Sequence, residues 1–231
     1  MRQIRGAIIA LSAALLTACS PLYLSQTYTT STPGPQSPDV VELTREPVAT
    51  LGLLAPGGLQ GFSPFLSHAL LSALGKASPP VRGIAVRETM NILNEQGLVT
   101  EYADLISGFM RSGILDRERL GRIGSALGSR YVLLPGIAEL NQVLMDKFEA
   151  LGIKLVRIRV VTLRLWLQLW DAQTGRILWE SAGETTVSSA LLSAQQAVSL
   201  DAIAQNLWLR MIQDNLLPQR SDQDLAPPTQ K

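Results

Sequence analysis

The stretch that decides the fold is VVTLRLWLQLWDAQTGRILWESAGE, from Val160 to Glu184. Its first half alternates branched aliphatic residues with other residue types, and a period of two sustained in this way is typical of one long strand. The aliphatic positions are Val161, Leu163, Leu165, Leu167 and Leu169. Because a face made of such side chains must be buried, we expect the rest of the folded chain to cover this strand.

A turn and a return strand follow the long strand. Residues 171–175, DAQTG, supply turn-forming side chains, and Gly175 is free to adopt a positive φ angle. The return strand begins at Arg176. Its register stays open at this point, because a four-residue loop pairs Arg176 with Asp171, whereas a five-residue loop pairs it with Trp170.

Shorter apolar runs and helical periodicities flank this hairpin. Buried strands are predicted at residues 48–54, 81–86 and 131–138. Helices are predicted near residues 63–75, 88–95, 100–110, 116–127 and 193–217, the last starting at a Ser193 capping box. Residues 141–154 are expected to form an irregular connection, and Pro135 indicates a bulge or local edge exposure. The pattern predicts an α/β fold, a three-layer α/β/α sandwich with a mixed sheet of about five strands and a long C-terminal hairpin.

The N-terminus has the pattern of a bacterial lipoprotein signal. Arg2 and Arg5 precede an apolar stretch that is too short for an ordinary membrane span. This stretch leads into LTAC at residues 16–19, which resembles the lipobox. The resemblance implies that residues 1–18 are removed and that Cys19 is acylated on its thiol and on its new amine. Several acyl chains make a stable anchor, so we expect the protein to be held on a membrane through Cys19.

The mature protein is expected to have three parts. Residues 19–47 form a lipidated cysteine and a flexible tether, residues 48–217 form a single α/β periplasmic domain, and residues 218–231 form a disordered tail. Ser20 favours the outer membrane under the sorting rule known for enteric lipoproteins. Since Cys19 is the only cysteine, the domain forms no disulfide and must be held together by packing.

The residue inventory argues against several kinds of function. A net charge of +1 and the lack of a basic cluster give no basis for binding nucleic acid. His68 is the only histidine and is predicted to lie on the exposed flank of its helix, so a histidine cluster for zinc is excluded. The loop at Gly57 and Gly58 lacks a phosphate-binding motif, and the acidic residues share no motif. We therefore expect no enzymatic activity, no cofactor and no metal.

Two further motifs resemble those of a family of periplasmic domains. They are LGSRYVL at residues 127–133 and LQLWDAQTGRILW at residues 167–179. Together with the lipobox, they are similar to the group that includes the curli-secretion lipoprotein CsgG, the TolB N-terminal domain, and the PelC and LpoB lipoproteins. The resemblance implies an α/β sandwich with helices on both faces and a non-catalytic protein that acts by assembly. The curli channel inserts long hairpins into the membrane, and residues 141–154 are too short for two of them, so we expect no pore from this chain alone.

The second face of the long strand carries the candidate partner surface. Arg164, Trp166, Gln168 and Trp170 share this face, and either Arg176 or Glu180 joins them across the hairpin, depending on the register. Tryptophan and arginine dominate the binding energy of many interfaces, which favours a contact surface for a partner or a neighbouring subunit. The alternative is that the last helix, which carries Trp208, packs over both tryptophans. We favour the alternative.

These observations predict a non-catalytic lipid-anchored envelope protein. We expect an accessory or assembly factor of an outer-membrane or periplasmic complex, in secretion or envelope maintenance. Its expected location is the outer membrane, with the folded domain in the periplasm and with envelope proteins or further copies of itself as partners. The alternative function is a small-ligand or glycan-binding lipoprotein that uses the loop at Gly57 and Gly58 or the tryptophan face.

Overall fold

The computed structural model describes residues 24–34, 38–149, 154–190 and 199–217. The predicted signal peptide, Cys19 and the predicted C-terminal tail lie outside the described residues, so what the sequence indicates for them stays a prediction. None of the described helices is both long and apolar enough to cross a bilayer.

The described chain forms six strands and six α-helices. The strands are β1 Leu24–Pro33, β2 Val48–Thr50, β3 Gly83–Ile84, β4 Tyr131–Glu149, β5 Lys154–Asp171 and β6 Arg176–Ala190. The helices are α1 Val40–Arg45, α2 Ser63–Lys76, α3 Val86–Glu95, α4 Val99–Ser112, α5 Arg117–Ala126 and α6 Leu200–Met211. A 3-10 helix, Gly57–Phe62, precedes α2, and a π-helical turn, Ile212–Leu216, extends α6.

The strands form one mixed sheet in the order β1-β6-β5-β4-β2-β3. The first four are antiparallel neighbours, and β2 is parallel to both β4 and β3. Helices α2 and α6 pack on one face, and α3, α4 and α5 pack on the other. This arrangement confirms the predicted α/β fold, with six strands where the sequence indicates about five.

The long strand β5 organises the sheet as its alternation predicts. Leu163, Leu165, Leu167 and Leu169 are at most 1% exposed and lie in the core beneath α2 and α6. The turn after β5 is the four-residue form, which pairs Asp171 with Arg176. The carboxylate of Asp171 accepts hydrogen bonds from the backbone N–H groups of the next turn residues, and Gly175 has a φ angle of 70°.

The predicted tether is wrong over most of its described length. Strand β1 pairs with β6 from Leu24↔Ser188 to Pro33↔Trp179, and helix α1 begins at an Asp39 N-cap. The sequence of β1, LSQTYTTSTP, shows no apolar alternation because an edge strand with both faces partly wet needs none. Helix α1 buries Leu43 completely, so this short element belongs to the domain.

A charged network joins α1 to the centre of the sheet. Arg130 donates to both carboxylate oxygens of Glu42, at 2.7 and 2.8 Å, and to Oδ2 of Asp171 at 3.0 Å. The Tyr131 hydroxyl donates to Glu42 Oε2 at 2.6 Å. The side chain of Asp171 is only 4% exposed, so its charge is compensated almost entirely by Arg130 and by the turn. Through this network α1, which lies outside the predicted domain boundary, is held to β5.

This network gives the protein an acid-sensitive component of stability. The hydrogen bond from Tyr131 and the bonds from Arg130 hold the pKa of Glu42 below its ordinary 4.5. Burial alone raises the pKa of Asp171, but Arg130 and two backbone N–H groups outweigh it and leave that pKa below 3.8. A carboxyl group with a lowered folded pKa stabilises the fold above its unfolded pKa and stops doing so as the pH falls through the folded value.

We therefore expect the urea midpoint to fall steeply as the pH drops below about 4.5, where the first of these groups begins to bind a proton in the unfolded chain. Glu42→Gln removes one of the two titrations and is expected to give a shallower fall over the same range. Urea unfolding followed by circular dichroism from pH 7 to pH 3 gives the slope of the urea midpoint against pH for both proteins. Identical slopes for the two proteins would show that Glu42 contributes nothing to the acid sensitivity.

The predicted irregular connection at residues 141–154 is also wrong. Strands β4 and β5 pair continuously from Asn141↔Thr162 to Glu149↔Lys154, so the described part of this segment is strand. Its pattern is not alternating because residues 141–145 are exposed on both faces of the hairpin. Residues 141–149 and 154–162 therefore form a long hairpin, and its length does not argue against contact with a membrane.

Pro135 lies where β4 loses its parallel neighbour. Strand β2 ends at Thr50, and the chain then leaves the sheet, returning only for an isolated bridge between Leu54 and Gly136. The missing N–H group of Pro135 faces this gap, so no ladder hydrogen bond is lost. A register shift between Ile137 and Glu139 follows. Of the two alternatives that the sequence indicates, the bulge is present, a few residues beyond Pro135, whereas Pro135 itself is buried and its carbonyl accepts from the Leu54 N–H.

The last helix differs from its prediction in start and in placement. It begins at Leu200, where the Ser199 hydroxyl accepts from the Ala202 N–H; Ser193 lies outside the described residues. Helix α6 packs on the leucine face of β5, not over the tryptophans. Gly183 explains why α6 packs on the leucine face. A Cβ atom at this position would lie 2.8 Å from Leu207 Cδ1, so only glycine lets the helix approach this closely.

Candidate functional site

Helices cover only half of the second sheet face. Helices α3, α4 and α5 pack over β2, β3, β4 and the turn end of the β5–β6 hairpin, near Trp170. They leave β1 and the rest of β5 and β6 uncovered. The strand register places exposed and half-exposed side chains of three strands side by side. We call this surface the open face, and its residues are Tyr28, Thr30, Arg164, Trp166, Glu180 and Glu184.

Trp166 marks the boundary between the open face and the helical layer. Its ring stacks on Phe109 of α4 with centroids 6.2 Å apart and an interplanar angle of 24°. The ring lies flat over Gly136, where an added Cβ would be 2.0 Å from Trp166 Cε2. One side of the indole is therefore packed, while the residue as a whole remains partly exposed. A fixed, partly exposed indole is a typical anchor for a binding partner.

The glycine beneath the indole gives a direct test of this packing. Gly136→Ala is expected to displace Trp166 and to lower the free energy of unfolding by about 1–3 kcal/mol, since overpacking forces neighbouring groups to move. The other three tryptophans are at most 2% exposed, so acrylamide quenching of fluorescence reports mainly on Trp166 and should increase. Gly108→Ala in α4 is the control, because nothing lies within 4 Å of its Cβ position. Equal quenching in wild type and Gly136→Ala would contradict the packing.

Arg164 carries the positive charge of the open face. Its Nε donates to Glu184 Oε2 at 2.6 Å, and its Nη1 lies 2.8 Å from Glu139 Oε2. The hydrogen bond to Glu184 and the charges of both carboxylates raise the pKa of the guanidinium. The Arg164 side chain is 51% exposed, so this pairing orients the group more than it stabilises the fold. The result is a fixed array of one cation between two anions beside the indole.

A shallow groove of about 280 Å³ runs beside Trp166. Phe109 and Trp166 form its aromatic wall, and Thr30, Gln168 and Glu180 contribute polar groups. Gln168 is held at both ends, since its Nε2 donates to Glu180 Oε2 at 2.6 Å and its Oε1 accepts from the Trp170 indole at 3.1 Å. The groove therefore combines a stacking surface with oriented hydrogen-bonding groups.

The structure changes the membership of the predicted partner surface. Arg164 and Trp166 lie together on the open face, as the alternation indicates. Trp170 is 1% exposed beneath the helices and is part of the core. Arg176 pairs with Asp171 at the turn, seven residues along β5 from Arg164, so it does not join this surface. The four-residue turn causes the difference for Arg176, because it pairs this residue with Asp171, whose side chain lies on the leucine face of β5.

Two other residues of the open face, Tyr28 and Glu184, were not predicted from the sequence. Tyr28 lies in the segment predicted as tether and is 66% exposed. Glu184 is directly opposite Arg164 on β6, which becomes visible only when the turn and the bulge are both known. His68 is exposed on α2, as predicted. Within the described ranges, no group of three or more His, Cys, Asp or Glu side chains is placed to hold a metal ion.

Comparison with known proteins gives solved structures of similar shape. No family model and no curated protein matches the chain. A PelC dodecamer from Paraburkholderia phytofirmans is 14% identical, with a TM-score of 0.43, over 83% of this chain and 99% of the other. Lipoprotein GNA1162 from Neisseria meningitidis is 15% identical, with a TM-score of 0.39, over 65% and 88%. The LpoB C-terminal domain from Salmonella enterica is 17% identical, with a TM-score of 0.34, over 60% and 81%.

The neighbours thus include PelC and LpoB, two members of the group that the sequence motifs resemble. The likeness to the curli-secretion lipoprotein and to the TolB domain stays a prediction. At these identities and TM-scores the similarity carries no argument about function, which has to come from the chain's own residues.

Proposed function

We propose that this chain is a lipid-anchored, non-catalytic protein of the bacterial envelope that binds a protein partner through the open face. In this proposal it is an accessory or assembly factor of an outer-membrane or periplasmic complex, and the partner is another envelope protein or a further copy of the chain. The lipobox sequence ending at Cys19 supports the anchor.

The observation that carries the binding role is the arrangement around Trp166. A partly exposed indole is packed against Phe109 and Gly136 and lies beside Arg164, whose charge is oriented by two carboxylates. Pre-ordered aromatic and arginine side chains lose little conformational entropy on binding, which is why they dominate interface energetics. The uncovered strands β6 and β1 extend this surface beyond the groove.

Site-specific photo-crosslinking in intact cells tests the proposal. Tyr28 is replaced with a benzoyl-phenylalanine, an aromatic exchange at a 66% exposed position of the open face. We expect a discrete crosslinked product that is absent when the same amino acid replaces Phe62, which is 37% exposed on the 3-10 helix before α2. Mass spectrometry of the product then identifies a second copy or a different protein.

The yields of crosslinked product from the Tyr28 and Phe62 positions, taken together, decide whether the proposal holds. A product from the Tyr28 position that disappears in a Trp166→Ala background supports a partner held by the open face. Products of equal yield from both positions, or from neither, contradict it.

The groove favours a second candidate function, the binding of a small polar ligand such as a glycan. Aromatic rings stack on the apolar faces of sugars, and Glu180 and Thr30 supply acceptors and donors for hydroxyl groups. Isothermal titration of the folded protein with envelope glycan fragments tests it. Binding that is lost in Glu180→Ala but kept in Glu118→Ala, an exposed acidic residue on α5, would support this candidate, and no heat of binding would remove it.

A further inference from the structure

The strand register fixes where the start of the domain lies relative to the β4–β5 hairpin. Leu24 is opposite Ser188 of β6, Ser188 is opposite Val160 of β5, and Val160 is opposite Val143 of β4. The first described residue and Val143 are therefore at the same level of the sheet, about 14 Å apart across three strand spacings. The chain enters the domain at the end of the sheet from which the hairpin projects.

The projecting part of the hairpin extends well beyond that level. We call it the arm; it consists of residues 141–149 of β4 and residues 154–162 of β5. Six residues of β4 follow Val143, which at about 3.3 Å per residue carries the backbone about 20 Å further. Only four residues lie between Cys19 and Leu24, so the Cα atom of Cys19 lies at most about 18 Å from that of Leu24 at the start of β1. An anchor on so short a connection holds this end of the sheet close to the lipid.

Three consecutive exposed residues of the arm, which follow the exposed Asn141 and Gln142, are apolar on both faces. Val143 is 42% exposed, Leu144 58% and Met145 56%, although successive side chains of a strand point in opposite directions. A flat protein surface could cover only one face of this hairpin. A lipid interface surrounds an inserted edge and can cover both faces, so the pattern fits lipid better than a second protein.

We infer that the arm rests in the interfacial region of the same membrane that holds the acyl chains of Cys19, as a second contact that orients the domain. This inference rests on the proposed lipid anchor. With the arm directed at the lipid, the opposite end of β5, at the Asp171 turn, points away from the membrane. The open face then stands along the membrane normal, where a partner in the periplasm has access to it.

Fluorescence quenching of a label on the arm tests the inference. Acylation consumes the only cysteine, so Leu144→Cys in the lipidated full chain supplies a single free thiol for a nitrobenzoxadiazole label. The protein is reconstituted into phosphatidylethanolamine–phosphatidylglycerol vesicles that contain a phospholipid with a nitroxide near the top of its acyl chain. Thr174→Cys is the matched control, since this exposed residue lies in the turn at the far end of β5.

We expect the label at position 144 to be quenched several-fold more strongly than the label at position 174. Val143→Asp with Met145→Asp should remove most of the excess, because the apolar neighbours would no longer favour insertion. Equal, weak quenching at both positions in protein that floats with the vesicles overturns the arm contact and leaves the anchor intact. A shift in emission that depends on protein density and not on the nitroxide shows a second copy on the arm and also overturns it. Protein that fails to float overturns the anchor and the arm contact together.

Discussion

Replacement of Arg130 with alanine is expected to lower the free energy of unfolding by about 2–3 kcal/mol. The change leaves the carboxylate of Asp171 unpaired at 4% exposure and removes two charged hydrogen bonds from Glu42. Breaking a buried ion pair by deleting one partner typically costs 3–5 kcal/mol, and the one-third exposure of Arg130 places the expected value below that range. Urea unfolding at pH 7 measures the loss.

Arg119 supplies the matched control for this prediction. It also lies near two carboxylates, those of Asp104 and Asp116, but at 3.5 and 3.6 Å and with all three side chains 38–55% exposed. Arg119→Ala should therefore cost less than about 1 kcal/mol. Equal losses for the two variants would mean that the network around Arg130 holds α1 to the sheet no better than a surface ion pair does.

Replacement of Trp166 with alanine is expected to weaken binding of the partner about 30-fold, which corresponds to about 2 kcal/mol for a residue that dominates an interface. The fold should survive, because Trp166 lies at the margin of the core, whereas Trp170 and Trp208 are fully enclosed. Titration of the purified variant against the partner identified by crosslinking measures the affinity. Unchanged circular dichroism and a free energy of unfolding within about 2 kcal/mol of the wild-type value show that the fold is retained.

Trp166→Phe separates the anchor role from simple packing. Phenylalanine keeps an aromatic ring over Gly136 and beside Phe109, so most of the affinity should return. An affinity unchanged in both variants would remove Trp166 from the interface and would favour the polar groups around Arg164 as the contact.

The hairpin at the centre of the fold could be predicted because its signals are local. The alternation over residues 161–170 depends only on which side chains are buried, and Asp171 and Gly175 specify the turn by their own hydrogen bonding and backbone freedom. The Asp116 N-cap of α5 is a signal of the same kind, and its side chain accepts from the Arg119 N–H as expected.

The edge strand and the arm could not be predicted from periodicity. Strand β1 has a neighbour on one side only, and residues 141–145 of β4 are exposed on both faces, so neither segment separates apolar from polar positions. What defines them is pairing with β6 and β5, residues more than a hundred positions away in the case of β1. Only the three-dimensional structure shows such pairing.

The placement of α6 depends on glycine residues that lie far along the sequence from the side chains they contact. Both faces of β5 carry large apolar side chains, and the sequence led us to favour a helix over the tryptophans, whereas the helix packs over the leucines. Gly183 opens the leucine face to Leu207 and Met211, and Gly136 receives the Trp166 ring on the other face. The partner surface was therefore predicted in part. Arg164 and Trp166 are retained, Trp170 is buried, and the four-residue turn places Arg176 opposite Asp171, away from this face.

The central claim is that lipid on Cys19 holds a non-catalytic domain at a membrane, where the open face binds its partner. The most direct test is the intact mass of the mature protein extracted with detergent from its own membranes, followed by the mass of its N-terminal peptide. We predict a chain that begins at Cys19 and carries a diacylglyceryl group on sulfur and an acyl group on nitrogen. A chain with an unmodified thiol at Cys19, or one that retains residues 1–18, would contradict the claim.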